Sequence, residues 1–255
     1  MYPEISIIVP GIRNHNWEKL YLSIADATER SFEVIFVGPF ELPEIFYTLD
    51  NVKYVKDMGS PVRCSQIGAC LAEGKYITWA ADDAVYFPES IDKNLELLES
   101  KDRYSVVVAK YVEGSHGHNK TLHPDSYFKI NSSDWTKSEY FDDDWWLFNI
   151  AFMHRELFED YGGWNCDYEA TFTSHLELAV RVQMFGDKVY MSNVLTLDCD
   201  HMPERTGDHG PIHDAQLEHD LPLFKEKVNQ NKGKLIEIVM DNWKQSPAKW
   251  KRRFK

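Results

Sequence analysis

Two adjacent carboxylates, Asp82 and Asp83, directly follow an apolar run that ends in Trp79-Ala80. Side by side they repel unless a positive charge sits with them. A hard divalent ion, Mn²⁺ or Mg²⁺, would supply that charge and take phosphate oxygens of a substrate as further ligands. The same pair also suits a turn in which Asp caps the next helix. Far downstream, His201 closes the run Asp198-Cys199-Asp200-His201. A histidine flanked by acids is either a metal ligand held by a neighbouring carboxylate or an exposed loop residue. A third group follows Gly162-Gly163-Trp164-Asn165, where His175 and Glu177 fall in the first turn of an expected helix. Either could take a proton from an acceptor hydroxyl, and Glu177 could equally be answering the helix dipole. On a regular helix the two side chains lie about 200° apart, so both cannot face one acceptor.

These groups need a scaffold. β-Branched, apolar runs predict strands over 5–9, 32–37, 52–55, 75–80 and 104–110. Helical spacing is expected over 17–29, 65–72 and 88–99, with Trp17, Leu20, Ile24 and Ala27 on one face. Strands alternating with helices predict an α/β fold, a mostly parallel central sheet with helices on both faces. Ligands in such sheets bind outside the carboxyl ends of the strands, and Asp82-Asp83 sits at one of those ends. Residues 111–150 have weak periodicity and suit a specificity excursion. Beyond them a strand is expected over 148–153, a helix over 173–185 closed by Gly186, and short strands over 188–191 and 194–197. A polar loop then carries Arg205, His209 and His213, and a helix is expected over 217–229.

The chain of 255 residues is long enough for a sizeable core. Its net charge of −13 excludes a nucleic-acid binder, which needs a basic footprint. The spacing of Cys64, Cys70, Cys166 and Cys199 fits no zinc or disulfide pattern, so buried reduced thiols are expected. No run is apolar enough to cross a bilayer and no signal peptide opens the chain, so a cytoplasmic location is expected. Trp243, Trp250 and Phe254 alternate with Lys244, Lys249, Lys251, Arg252, Arg253 and Lys255. That tail reads either as a peripheral contact with the anionic inner face of a membrane or as a terminal helix packing its tryptophans on the domain.

Five segments, in order, resemble family 2 glycosyltransferases of the GT-A fold. They are Ile5-Ser6-Ile7-Ile8-Val9-Pro10, the stretch from Gly68 to Ile77, Ala81-Asp82-Asp83 with Pro88 beyond, Gly162-Gly163-Trp164 with the helix from His175 to Arg181, and His201. The resemblance covers roughly residues 4–201 and implies transfer of a sugar from a nucleoside-diphosphate sugar to a carbohydrate or glycolipid acceptor, with inversion, in polysaccharide or surface-glycan synthesis. It implies a metal held by Asp83 and His201, with Asp82 assisting. It places Pro10, Gly38, Asp57, Arg63 and Asp82 at the nucleotide, with Arg63 either a phosphate contact or a plain surface residue, and Glu177 as the base with His175 the alternative. Residues 1–215 would form the transferase domain, 1–110 its nucleotide-sugar half and 111–215 its acceptor half, with 216–255 a helical extension. Arg205, His209 and His213 would be a lid over the diphosphate or a solvated loop.

The pattern departs from the family in three places. Ala81 replaces the first acid of the metal segment, and Val37-Gly38-Pro39 replaces the acidic pair that contacts the base. Ser174-His175 stands where many members start the acceptor helix with Glu-Asp. The missing second-strand acids weaken a uridine donor, and together with Ala81 they keep open a fold relative that binds a glycan or partner without turnover. A nucleotidyltransferase fits less well, because Pro10-Gly11-Ile12-Arg13 is a poor phosphate loop.

Overall fold

The computed structural model describes residues 2–113, 127–131, 144–199, 207–231 and 237–255. An eight-stranded sheet forms the centre, in the order β3-β2-β1-β4-β9-β6-β10-β5. Its strands are β1 (Ile5–Pro10), β2 (Phe32–Gly38), β3 (Val52–Lys56), β4 (Tyr76–Trp79), β5 (Ala84–Tyr86), β6 (Ser105–Glu113), β9 (Ala151–His154) and β10 (Lys188–Cys199). Strands β3, β2, β1 and β4 run parallel, with Ile7 opposite Val34 and Ile8 opposite Trp79. β9 is antiparallel to both β4 and β6, and β5 is antiparallel to β10 at the edge. β7 (Tyr127–Asn131) and β8 (Asp144–Phe148) pair as a separate ribbon.

The period-2 alternation of the strands feeds two cores, one on each face. Ile8, Val106 and Val108 face α2 (Pro61–Cys70) and α5 (Thr171–Met184). Ile7, Val9 and Val107 face α1 (Trp17–Ala27) and α3 (Ser90–Glu99). α1 buries the expected stripe of Trp17, Leu20, Ile24 and Ala27, and Trp17 stacks on Phe36 with ring centroids 4.4 Å apart. The other α-helices among the described residues are α4 (Arg155–Asp160), α6 (Gly210–Ala215) and α7 (Leu221–Asn231), the last two joined by a π-type turn, Gln216–Asp220.

Several boundaries differ from the sequence expectation. α2 begins at Pro61, because Ser60 caps it by accepting the Arg63 N–H at 3.2 Å and Pro61 needs no donor at the first position. The two short runs before Cys199 are one strand, β10, with irregular register between Met191 and Leu195. β5 and α4 are short elements with too little sequence for a period. The tail is not a terminal helix: Met240–Gln245 is 3₁₀, and a single bridge at Lys249 and turns follow. Cys64, Cys166 and Cys199 are buried free thiols as expected, but Cys70 is exposed at the end of α2. Among the described residues no helix is long and apolar enough to cross a membrane.

Candidate functional site

A cavity of about 500 Å³ opens at the carboxyl ends of β1, β2 and β4, where the sheet topology predicts a ligand. Its floor is made by close approach of two loops. The Gly11 N–H donates to the Val37 carbonyl at 2.9 Å, and a Cβ on Gly38 would lie 1.8 Å from the Gly11 oxygen. Only glycine permits that contact. Pro10 and Gly38 both line the cavity.

Asp82 and Asp83 enter from the turn after β4, both nearly buried. Asp82 fixes the loop after β1: its Oδ2 accepts the backbone N–H of Ile12 and of Arg13, each at 2.6 Å. Its Oδ1 takes the Arg13 guanidinium, whose Nη1 is also 3.2 Å from Asp83 Oδ2. The other side of that guanidinium donates from Nε to Asp208 at 2.9 Å, and Nη2 lies 3.0 Å from His209 Nε2. Burial alone would lower the Arg13 pKa, but the charges of Asp82, Asp83 and Asp208 outweigh it and raise it above the usual arginine value. Burial likewise opposes ionised Asp208, and Arg13 more than compensates, holding that carboxyl below its ordinary range. Sequence reading assigned no role to Arg13; the signal available was a basic residue just beyond the first strand.

The neighbouring carboxylates suit a hard divalent ion that completes its shell with phosphate oxygens. Arg13 Nη1 already occupies the space beside them. The further ligand expected, His201, lies outside the described residues, as does Arg205 of the suggested lid. His209 and His213 line the cavity. The one cluster of three candidate ligands among the described residues is Glu169, His219 and Asp220. It has other work: Asp220 accepts the N–H groups of Glu169 and Ala170 at the start of α5, and Glu169 pairs with Arg252 at 2.7 Å.

The two candidate bases separate, as helical geometry requires. His175 lines the cavity, its ring 5.3 Å from that of Trp79 and 6.1 Å from that of Trp164. Desolvation pushes its pKa down to about 3, so the imidazole is neutral near pH 7. Glu177 does not line the cavity. It forms a buried ion pair with Arg181, and Arg181 donates on to the carbonyls of Tyr161 and Gly163. The pair braces the turn in which Gly162 and Gly163 have φ of 78° and 73°. The carboxylate of Glu177, the first choice of base, is turned into the protein toward Arg181, and of the two candidates His175 is the one that lines the cavity.

Asp57 and Arg63 also stand back from the cavity. Arg63 Nε donates to Asp57 at 3.0 Å, Nη1 donates to the Ser246 carbonyl at 3.1 Å, and the guanidinium lies 5.1 Å from the centre of the Trp243 ring. They stand behind the wall built by Gly59, Pro61, Cys64 and Ser65, and Asp57 accepts the Gly59 N–H at 2.7 Å. The tail also lines the cavity. Trp250 is 3% exposed and, with Arg253 and Phe254, lines the cavity, while Trp250 N–H donates to the Met58 carbonyl at 2.6 Å. Trp250 is buried on the domain, and Trp243 and Phe254 are half-buried there.

No family model matches the sequence. An uncharacterised glycosyltransferase of Rickettsia conorii is 24% identical over 139 residues, half of this chain and 23% of that protein. The crystal structure of S. aureus TarS 1–349 aligns with a TM-score of 0.57 at 14% identity, over 77% of this chain and 60% of that one. The same protein in complex with UDP-GlcNAc gives 0.55 at 15% identity, over 81% and 60%. Its complex with UDP gives 0.56 at 13% identity, over 89% and 71%. This chain thus shares the α/β fold of TarS and spans less than a quarter of the length of the Rickettsia relative.

Proposed function

We propose that the chain is a glycosyltransferase of the GT-A type that moves a sugar from a nucleoside-diphosphate sugar, of the UDP class, to a hydroxyl of a carbohydrate or glycolipid acceptor with inversion. The observation that carries the reading is the cavity at the strand ends, lined by both Asp83 and His175. The sequence similarity to a glycosyltransferase and the UDP-GlcNAc and UDP complexes of a protein of this fold support the donor class.

In this reading the glycine-floored cleft between β1 and β2 takes the nucleoside. Asp83, with Asp82 beside it, would hold Mn²⁺ or Mg²⁺, which neutralises the leaving diphosphate when bound. Asp82 keeps the loop after β1 in place through its two backbone contacts. His175 takes the proton of the acceptor hydroxyl as that oxygen bonds to the anomeric carbon and the bond to the diphosphate breaks on the opposite face. A weakly basic, neutral imidazole suffices, because the hydroxyl becomes strongly acidic once its oxygen has begun to share electrons with carbon. Positioned base catalysis of this kind supplies about 10²–10⁴-fold.

Nucleoside diphosphates, each with and without Mn²⁺, should raise the melting temperature; at a hundred times Kd the gain is about 2.7 kcal/mol. Hydrolysis or transfer from UDP-GlcNAc then tests chemistry. Binding without any turnover would instead favour a non-catalytic glycan- or partner-binding protein, the reading that Ala81 keeps open.

A further inference from the structure

Arg13 lies against the two carboxylates, Asp82 and Asp83, that the transferase reading assigns to a divalent ion. Its Nη1 contacts Asp82 and lies 3.2 Å from Asp83, and the three side chains are 14%, 5% and 3% exposed. Two positive centres cannot share that space in a site so poorly screened. We infer that Arg13 is an exchangeable counterion: a divalent ion displaces it from Asp82 and Asp83, and the released guanidinium turns to the donor's diphosphate. The inference rests on the transferase reading.

Charge explains why exchange is favoured over permanent occupation. Asp82, Asp83 and Asp208 outnumber Arg13 and Arg253, so a diphosphate entering alone meets excess negative charge. A divalent ion reverses that balance. The guanidinium it frees is a planar fork suited to phosphate oxygens. The backbone need not follow the side chain. The N–H groups of Ile12 and Arg13 stay on Asp82 Oδ2, so the loop remains fixed while the side chain moves. Before the donor arrives, Arg13 supplies the counter-charge that two neighbouring buried carboxylates require.

The exchange has a signature of opposite signs. By calorimetry, Arg13→Gln should bind Mg²⁺ alone about tenfold more tightly than the wild type, because the competing charge is gone, and bind UDP in saturating Mg²⁺ about tenfold more weakly. Mg²⁺ affinity that is unchanged or weaker in Arg13→Gln, or unchanged UDP affinity, overturns the inference. If Arg13→Gln does not fold, Arg13→Lys carries the test. It keeps the charge but not the fork, so UDP binding should still weaken about tenfold, and wild-type UDP affinity overturns the inference. A wild-type chain that binds no UDP at any Mg²⁺ concentration overturns the UDP-class reading and this inference with it. A wild type that binds UDP, with variants that match it, overturns the exchange alone.

Discussion

Glu177 and Arg181, one helical turn apart on α5, meet in a two-pronged ion pair at 3.0 and 2.8 Å with both side chains nearly excluded from solvent. Breaking such a pair leaves a buried charge without its partner, which costs about 3–5 kcal/mol. Glu177→Gln should therefore lower the unfolding free energy by about that amount in a denaturant titration. UDP affinity below the melting transition should be kept. Unchanged stability with turnover reduced by orders of magnitude would restore Glu177 as the base.

His175 makes acid stability a readout of burial. Its pKa is pushed down to about 3 in the folded chain, while the unfolded chain titrates near the ordinary histidine value of 6.5. Between those values the unfolded state binds the extra proton. The contribution of His175 is complete above pH 6.5 and is lost as pH falls toward 3, by at most about 1.4 kcal/mol per pH unit. His175→Phe should flatten that part of the stability profile. His175→Ala should reduce kcat by about 10²–10⁴-fold with UDP binding retained.

Gly38→Ala tests the cavity floor. The new methyl group would meet the Gly11 carbonyl at 1.8 Å, backbone against side chain, and neither loop has slack. Stability should fall by about 1–3 kcal/mol or more. UDP affinity should fall with it, because the two loops that part are the ones that floor the cleft. Wild-type melting behaviour in this variant would contradict the packing.

Trp250→Ala removes an almost fully buried indole from the cavity wall and should cost about 3–5 kcal/mol. Arg253→Gln should weaken UDP binding while leaving the melting temperature within a few degrees. Sedimentation with anionic vesicles should be the same for the full chain and for one ending at Asn242. Binding to vesicles that depends on the tail would show that its aromatic side chains leave the domain.

The scaffold was legible because its signals are local and repeated. The run Ile5–Val9 could be buried on both faces only in a covered parallel sheet, and Trp17, Leu20, Ile24 and Ala27 mark one helical stripe. Asp82 and Asp83 were placed at a strand end for the same reason. Partners were not legible. Glu177 and Arg181 are four residues apart and signal a pair, but their burial depends on the turn at Gly162-Gly163, which long-range packing on Gln66 decides. Arg13 finds Asp208 nearly two hundred residues away, and Arg63 finds the carbonyl of Ser246 from the far end of the chain. Charge and aromaticity in residues 241–255 read as a surface feature because nothing in composition tells which side chains fold back.

That folded-back tail governs how the protein should be handled. Phe254, beside the final residue Lys255 of this sequence, borders the cavity, and Met58 pairs with Lys249 to hold the segment there. A bulky label attached at Phe254 would stand in the cavity lining and compete with whatever enters. Tyr2, by contrast, is 82% exposed and does not border the cavity, so a label at that residue leaves the cavity clear.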